Sequence, residues 1–358
     1  MELTQQILSY KNRRVLVTGD TGFKGSWLSL WLKELEADIV GYALPPERDI
    51  DHFNLIRLDK LIHHIDGDIR DIESLRSVME KFQPEIIFHL AAQPLVRASY
   101  KEPKLTFDTN VGGSVNVLEA VRLTPSVRVL IYITSDKCYK NKEWIWGYRE
   151  NDELGGQDPY SASKAAAELV FFSYTYSYFR ERREMGAATV RAGNVIGGGD
   201  WAEDRIVPDC IKALQNNKQI ILRNPMSTRP WQHVLDPLSG YLLLGAKLLR
   251  DPDRYGGAWN FGPETRSVRT VQELAETIIF HWGKGILQKS EEKTSPSEAR
   301  LLCLNCDKAH QILGWRPRWS FTRSLDETVK WYKKINTGTP ALQITRQQIN
   351  NFMEELND

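Results

Sequence analysis

Residues 15–25 read Val15-Leu16-Val17-Thr18-Gly19-Asp20-Thr21-Gly22-Phe23-Lys24-Gly25, and this stretch decides the fold. An apolar strand runs directly into three glycines, and an amphipathic helical pattern follows them. A strand, a glycine turn and a helix in this order are typical of a dinucleotide-binding loop. The glycines let the backbone approach a pyrophosphate, which the helix N-terminus stabilises. The spacing is Gly-x-x-Gly-x-x-Gly instead of the commoner Gly-x-Gly-x-x-Gly.

Apolar strand-like runs alternate with helical patterns through the first half of the chain. This alternation predicts an α/β fold, a Rossmann-type doubly wound parallel sheet that binds ligands at the carboxyl ends of its strands. The expected strands are residues 14–17, 38–43, 62–66, 85–90, 128–134 and 186–191, and the expected helices are residues 23–36, 72–82, 106–123 and 161–182.

A second group of polar residues follows the fifth predicted strand. Tyr160 and Lys164 lie four positions apart, so one helix face sets a phenol beside an ammonium. A nearby cation stabilises phenolate, which makes Tyr160 a candidate acid or base near neutral pH. Ser135 ends an apolar run and adds a hydroxyl that can hold a carbonyl or alcohol oxygen.

The glycine loop and the Ser135, Tyr160 and Lys164 set together resemble the extended short-chain dehydrogenase/reductases that act on nucleotide-sugars. The resemblance covers roughly residues 13 to 335 and includes His89-Leu90-Ala91-Ala92-Gln93, Asp66-Gly67-Asp68-Ile69-Arg70-Asp71 and Asn110. It implies that cofactor is bound by Thr18, Gly19, Gly22, Phe23, Lys24, Gly25, Asp68, Ile69, Leu90, Ala91, Ala92, Gln93, Tyr160 and Lys164.

The residues that follow Ser135 indicate which reaction is catalysed. Related dTDP-glucose dehydratases carry Asp and Glu there, as acid and base, whereas this chain has Asp136 and Lys137. The run from Thr134 through Ser161, together with Gly197-Gly198-Gly199-Asp200-Trp201, resembles the family's CDP-D-glucose 4,6-dehydratases. That resemblance implies conversion of CDP-D-glucose to CDP-4-dehydro-6-deoxy-D-glucose, at the start of the branch toward CDP-linked 3,6-dideoxyhexoses of lipopolysaccharide O-antigen.

Three alternatives stay open at this point. The chain is also compatible with a nucleotide-sugar 4-epimerase, with a dehydratase for another nucleotide, and with an inactive family member that binds NAD as a sensor. Intact Ser135, Tyr160 and Lys164 argue against the inactive member. Lys137 is either the base at C5, for which its pKa must fall below the usual value of about 10.4, or a cation that stabilises an enolate.

Substrate recognition is expected in the second half of the chain. Arg229 lies among aromatic residues, and its guanidinium suits bidentate binding of a diphosphate. The resemblance places Arg229 and Asn194 at family positions that contact the nucleotide-sugar. His233, next to Trp231-Gln232, is a further candidate, although packing explains a histidine there equally well.

The choice between NAD and NADP turns on the end of the second predicted strand. NAD-specific relatives usually place a carboxylate there, but this strand ends Gly41-Tyr42-Ala43-Leu44, with Arg48 shortly after. An arginine fits a 2′-phosphate, so the residues alone also permit NADP. The dehydratase cycle is redox-neutral and the family uses NAD, so NAD is the expected cofactor.

Three regions are expected along the chain. Residues 1–193 form an NAD-binding Rossmann domain to which segments near 236–262 return, and residues 194–335 form mainly a smaller nucleotide-sugar-binding lobe. Residues 336–358 form an appended polar helix. Apolar side chains on more than one face of the helices near 106–123 and 161–182 predict a homodimer or higher homo-oligomer.

Composition excludes several other classes of function. In 358 residues, 47 lysines and arginines offset 46 aspartates and glutamates. We therefore expect the protein to bind neither nucleic acid nor an anionic membrane surface. The first residues lack an apolar signal segment and no stretch reaches a membrane span, which predicts a cytoplasmic protein. Four scattered cysteines suit a reducing compartment. Cys303 and Cys306 have metal-knuckle spacing but lack a second paired motif, so no metal site is expected.

Overall fold

A seven-stranded parallel sheet forms the centre of the molecule in a computed structural model that describes residues 6–264, 268–289 and 301–356. The strands of the described residues are β1 Arg14–Thr18, β2 Asp38–Ala43, β3 His63–Asp66, β4 Ile86–His89, β5 Val129–Ile133, β6 Gly186–Ala192, β7 Val195–Ile196, β8 Ile220–Leu222, β9 Thr228–Pro230, β10 Gln232–His233, β11 Gly257–Phe261, β12 Val268–Thr270 and β13 Leu287–Lys289. The strand order in the central sheet is β11-β6-β5-β4-β1-β2-β3.

The six predicted strands all lie in this sheet, and every neighbouring pair runs parallel. Their near-continuous apolar sequences, such as Val129-Leu130-Ile131-Tyr132-Ile133, are buried throughout because helices cover both faces. The strand order reverses between β1 and β4, which is where a doubly wound sheet opens a ligand crevice. The predicted fold class is therefore confirmed.

Helices pack on both faces of the sheet. Phe23–Glu34 and Leu235–Leu248 belong to the core on one face, and Ile72–Phe82, Ser114–Leu123 and Pro159–Ser177 belong to the core on the other. The remaining α-helices are His52–Leu55, Val96–Lys101, Pro103–Phe107, Ile206–Gln215, Pro252–Tyr255, Val271–Trp282, Phe321–Asn336 and Ala341–Glu355.

Two helices differ from their predicted form. The helix predicted at 161–182 begins at Pro159, because the Asp158 side chain accepts hydrogen bonds from the first turn, and ends at Ser177. The stretch predicted as a helix at 106–123 contains a π-helical segment at Asp108–Gly113, a local widening that is frequent at functional sites.

The final helix, Ala341–Glu355, has a polar outer face but an apolar inner one. Phe352 packs edge-on against Trp31 with ring centroids 5.7 Å apart. Arg346 reaches Glu34 at 2.8 Å. Contacts with Phe23–Glu34 therefore hold the helix on the main core.

Residues 195–289 add three two-stranded sheets, β7 with β10, β9 with β12 and β8 with β13. Strand β11 then pairs with β6 and so returns to the central sheet. Within the part of the chain that the structure describes, no helix has both the length and the apolar character needed to cross a membrane.

Candidate active site

The glycine loop after β1 packs so closely against backbone that two of its positions leave no space for a side chain. Gly19 has φ +78°, and a Cβ there would lie 2.6 Å from the backbone nitrogen of Ala91. A Cβ on Gly25 would collide with the backbone of Gly19. The helix that begins at Phe23 has Gly22 as its N-cap, and no described side chain caps it. The loop thus forms a backbone cradle at a helix N-terminus, which suits a pyrophosphate.

Thr18 joins the ends of β1 and β4 beneath this cradle. Its Oγ1 lies 2.7 Å from His89 Nδ1 and accepts a hydrogen bond from the Ala91 backbone N–H at 3.3 Å. Leu90 N–H donates to the Thr18 carbonyl at 3.0 Å. The Thr18 side chain is fully buried, so it shapes the ligand crevice from below.

Asn110, in the π-helical segment, connects the loop after β4 to the helix Pro159–Ser177, which carries Tyr160 and Lys164 and is called the catalytic helix below. Its amide accepts from Gln93 N–H at 2.8 Å, donates to the Gln93 carbonyl at 3.0 Å and donates to Ser163 Oγ at 2.9 Å. The Gln93 side chain in turn bonds Thr106 and the Leu95 backbone. Gln93 therefore orders the loop that also carries Ala91 and Ala92.

Other predicted cofactor residues lie on the β3 side of the crevice. The Asp68 carboxylate is hydrogen-bonded to Arg70, which lowers the Asp68 pKa. Ile69 is buried close to Gly113. Arg48 is the residue that leaves NADP possible from the sequence alone. Its guanidinium donates hydrogen bonds to the Asp51 carboxylate and, at 2.7 Å, to the Trp201 carbonyl.

Ser135, Asp136, Tyr160 and Lys164 come together at the carboxyl end of β5, and each is at most 7% exposed. Ser135 Oγ donates to Asp136 Oδ1 at 2.9 Å. Tyr160 follows Pro159 in the first turn of its helix, and Lys164 lies one turn later. Lys137 is half-buried, and its backbone N–H donates to Ser135 Oγ at 3.3 Å.

Burial dominates the electrostatics of this cluster. Burial raises the pKa of Tyr160 to about 12, although a hydrogen bond with Ser135 and the positive charge of Arg205 both act to lower that pKa. Burial also raises the pKa of Asp136, although the positive charges of Lys137 and Arg229 act to lower it. Burial lowers the pKa of Lys164 to about 8. A carboxyl with a raised pKa is suited to act as an acid.

Lys24 and Arg205 extend the cluster beyond the predicted catalytic residues. The pKa of Lys24 falls to about 8 through burial and through the positive charges of Lys164 and Arg205, while Asp136 opposes the shift. Lys24 was predicted among the cofactor residues, and the structure also brings its ammonium into the electrostatic field of the catalytic group. Arg205 was not predicted. It is paired with Asp200 at 2.9 Å, and no local pattern signals its approach to Tyr160.

The three predicted substrate residues occupy different environments. Arg229, on β9, lies close enough to Asp136 for its positive charge to oppose part of the rise in that carboxyl's pKa. Asn194 is half-buried just after β6, where its carbonyl accepts from Gln232 N–H at 3.1 Å. His233 is fully buried between Trp27 and Trp319, at ring-centroid distances of 5.8 and 4.6 Å. The surroundings of His233 are those of a core residue.

A buried ion pair contacts both ends of the segment 134–139, which contains Ser135, Asp136 and Lys137. Glu168 and Arg191 are both fully buried and joined at 2.8 Å. Glu168 also accepts from Thr134 Oγ1 at 2.5 Å, and Arg191 donates to Tyr139 OH at 2.7 Å. Sequence reasoning missed this pair, although Glu168 follows Lys164 by one helical turn and so shares its face.

The cysteine pair shows no sign of a metal centre. Cys306 is buried with its sulfur 3.8 Å from the Gly262 carbonyl, and Cys303 is half-buried. Across residues 6–264, 268–289 and 301–356, no group of three or more histidine, cysteine or acidic side chains has the arrangement to hold an ion.

Comparisons with known proteins agree with this geometry. Residues 16–328 match the family model described as GDP-mannose 4,6 dehydratase. The CDP-glucose 4,6-dehydratase of Salmonella typhimurium is 47% identical over 348 residues, which cover 96% of this chain and 97% of that protein. The dTDP-glucose 4,6-dehydratase of Streptomyces antibioticus is 28% identical over 77% of each chain.

Solved structures share the fold at lower identity. The dTDP-glucose 4,6-dehydratase from Bacillus anthracis, solved in complex with NAD, superposes with a TM-score of 0.75 at 24% identity, covering 92% of this chain and 99% of that one. The UDP-glucose 4-epimerase from Thermotoga maritima gives a TM-score of 0.77 at 22% identity, covering 90% and 99%. Because the family model matches residues 16–328 and a relative is 47% identical over 96% of the chain, the chain belongs to the GDP-mannose 4,6 dehydratase family, a family of extended short-chain dehydrogenase/reductases that act on nucleotide-sugars.

Proposed function

We propose that this protein is an NAD-dependent lyase that converts CDP-D-glucose to CDP-4-dehydro-6-deoxy-D-glucose and water. The observation that carries the proposal is the position of Asp136, a buried carboxyl hydrogen-bonded to Ser135 within the Tyr160 and Lys164 cluster. A 4-epimerase needs only the serine, tyrosine and lysine, whereas a dehydratase needs an added acid. Identity of 47% to a CDP-glucose 4,6-dehydratase favours cytidine over other nucleotides.

Oxidation at C4 is assigned to Tyr160, Ser135 and Lys164. Tyr160 accepts the proton of the C4 hydroxyl while Ser135 holds the same oxygen. The ammonium of Lys164 favours the phenolate that Tyr160 must form, and it holds the cofactor ribose. Because these groups are buried, each charge acts in a low dielectric and is worth more than in water.

NAD fits the crevice that the described residues form. The cradle of Gly19, Gly22 and Gly25 suits its pyrophosphate, and Arg48, the candidate for a 2′-phosphate, is engaged by Asp51 and Trp201. When bound, NAD supplies reversible acceptance of the hydrogen at C4 as hydride. The overall reaction is redox-neutral because that hydrogen ends at C6 of the product.

Elimination is assigned to Asp136 and Lys137. Asp136 gives a proton to the departing C6 hydroxyl, which leaves as water, and burial raises the pKa of Asp136 in the direction that favours the protonated form. Lys137 acts at C5, either as the base that removes the proton or as the cation that stabilises the enolate. Arg229 is assigned to binding the diphosphate and Asn194 to binding the nucleotide-sugar. His233 is assigned a supporting role in the same substrate site, as a core residue that packs between Trp27 and Trp319.

The proposal also covers the roles of the regions of the chain, its cellular location and its assembly. We assign residues 1–193, with the returning segments near 236–262, to NAD binding and residues 194–335 mainly to nucleotide-sugar binding. Residues 336–358 are assigned to an appended C-terminal segment, which contains the helix Ala341–Glu355. The protein acts in the cytoplasm as a homodimer or higher homo-oligomer, and it opens a route to CDP-linked dideoxyhexoses of O-antigen lipopolysaccharide. Apolar side chains on the helix Pro159–Ser177 support self-association.

The proposal is tested by incubating the protein with NAD and, separately, CDP-, UDP- and dTDP-D-glucose. A 4-keto-6-deoxy sugar gives a characteristic absorbance in strong base. We expect that absorbance with CDP-D-glucose and much less with the other two. Interconversion with the galactose epimer, without the keto product, would identify a 4-epimerase instead, and preference for another nucleotide would reassign the substrate.

A further inference from the structure

The end of β2 lacks the carboxylate that NAD-specific sheets usually place there, yet two carboxylates lie beside it. Asp66 is paired directly with Ala43, the last residue of β2, in the parallel register of β2 and β3. Asp20 comes from the glycine loop after β1. Both therefore lie around the strand end at which the adenosine ribose of a dinucleotide is recognised.

Asp20 lies over β2 in close contact. It is fully buried, and a Cβ on Gly41 would collide with its carboxylate. Gly41 and Ala43 are two residues apart on β2, so their positions belong to the same face of the sheet. One oxygen of Asp20 accepts from His64, and the other, Oδ1, has no hydrogen-bond partner among the described residues. A buried carboxylate oxygen without a partner points to a ligand hydroxyl that completes it.

His64 bridges the two carboxylates. Its Nδ1 lies 2.7 Å from Asp20 Oδ2 and its Nε2 lies 3.1 Å from Asp66 Oδ1. Both ring nitrogens donate only when the imidazole is protonated. Burial disfavours that state, but the two carboxylates raise the pKa of His64 overall. Burial raises the pKa of Asp20, and the His64 ring opposes that rise. With both carboxyl groups ionised, the cluster carries a net negative charge even when the imidazole is protonated.

We propose that Asp20 and Asp66, bridged by His64, determine the preference of this protein for NAD over NADP. Their oxygens take the place of the missing β2 carboxylate toward the ribose hydroxyls, and their net negative charge repels a 2′-phosphate. The inference rests on the proposed use of a nicotinamide dinucleotide and adds the residues that choose between its two forms.

The test measures binding of NAD and NADP separately, without sugar, by quenching of intrinsic tryptophan fluorescence. The variants are Asp20→Asn, Asp66→Asn, the double variant and Asp66→Lys. Asp38→Asn is the matched control, because it makes the same charge change at the opposite end of β2. Asp66 is exposed, so its variants test the inference even where the buried Asp20→Asn fails to fold.

We expect the wild-type protein to bind NAD at least tenfold more tightly than NADP. Each single variant should reduce this ratio several-fold, the double variant should bring it near one, and Asp66→Lys should favour NADP. The control should leave the ratio unchanged. An unchanged ratio in Asp66→Asn and Asp66→Lys, or a wild type that binds NADP as tightly as NAD, would overturn the inference. Neither result touches the dehydratase assignment, which fails separately if CDP-D-glucose yields no keto product.

Discussion

Proton transfer at Tyr160 depends on the charges that surround it. Burial raises the pKa of this phenol to about 12, so Tyr160 must lose its own proton before it can accept the proton of the C4 hydroxyl. Ser135 and Arg205 act in the opposite direction, and Asp136 adds to the effect of burial. The chemistry assigned to Tyr160 is therefore sensitive to single substitutions that change charge nearby.

Tyr160→Phe removes the group that accepts the C4 proton. Because that interaction develops in the transition state, oxidation of CDP-D-glucose should slow by orders of magnitude while binding of NAD and nucleotide-sugar stays near normal. Single-turnover formation of reduced cofactor measures the first quantity and equilibrium binding the second. Tyr176→Phe, on the exposed side of the same helix, is the control. Near-normal turnover by Tyr160→Phe would remove the tyrosine from its assigned role.

Asp136→Asn and Arg205→Gln should shift the pH dependence of C4 oxidation in opposite directions. The rate rises with pH as Tyr160 loses its proton. At the high pH where Tyr160 titrates, Asp136 is ionised, so removing its negative charge lowers the Tyr160 pKa and moves the rising limb to lower pH. Removing the positive charge of Arg205 raises that pKa and moves the limb to higher pH. Single-turnover rates across pH measure both limbs. Shifts in the same direction would contradict this account.

Asp136→Asn and Lys137→Ala should separate elimination from oxidation. Both variants should still pass hydride to NAD and then stall, so absorbance of reduced cofactor accumulates with bound 4-keto-glucose. Exchange of the C5 hydrogen with deuterated solvent distinguishes the two roles of Lys137. Loss of exchange identifies it as the base, and retained exchange identifies it as the stabilising cation. Normal turnover by both variants would favour the epimerase alternative.

At the scale of elements, the sequence predicted the sheet and the carboxyl-end loops well. Continuous apolar runs identify buried parallel strands, and the carboxyl ends of such strands share one edge of the sheet, so ligand binding was expected at that edge. The π-helical segment at Asp108–Gly113 carries no distinctive composition. Arg205 and His64 reach their partners from separate loops and strands, and such proximity is set by tertiary packing.

The ion pair of Glu168 and Arg191 joins the catalytic helix to β6. Glu168→Ala should destabilise the protein by about 3–5 kcal/mol, because it leaves a buried guanidinium without its counter-charge. The double variant Glu168→Leu/Arg191→Met should cost clearly less, since no buried charge remains. Urea unfolding measures both free energies. A cost below about 1 kcal/mol for Glu168→Ala would show that the pair contributes little.

At the scale of the whole molecule, the helix Pro159–Ser177 presents apolar side chains to solvent. Leu169, Phe172 and Tyr176 are 62%, 37% and 72% exposed, and their spacing of three and four residues sets them on one helix face. A contiguous exposed apolar face is typical of an interface.

We expect sedimentation velocity to show at least a dimer at micromolar concentration. Leu169→Glu with Tyr176→Glu should shift the protein toward monomer, because charges would be buried at the interface. Phe280→Glu, which changes a side chain on another helix that is at least as exposed, is the control. A wild-type monomer under these conditions would remove the predicted homo-oligomer.

The central claim, that the chain is a 4,6-dehydratase for CDP-D-glucose, is tested most directly by following the hydrogen at C4. CDP-D-glucose deuterated at C4 is incubated with the protein and NAD, and the product is examined by nuclear magnetic resonance. The account predicts a 4-keto-6-deoxy sugar that carries the deuterium on C6. Deuterium retained at C4 in a mixture of the glucose and galactose epimers would contradict it.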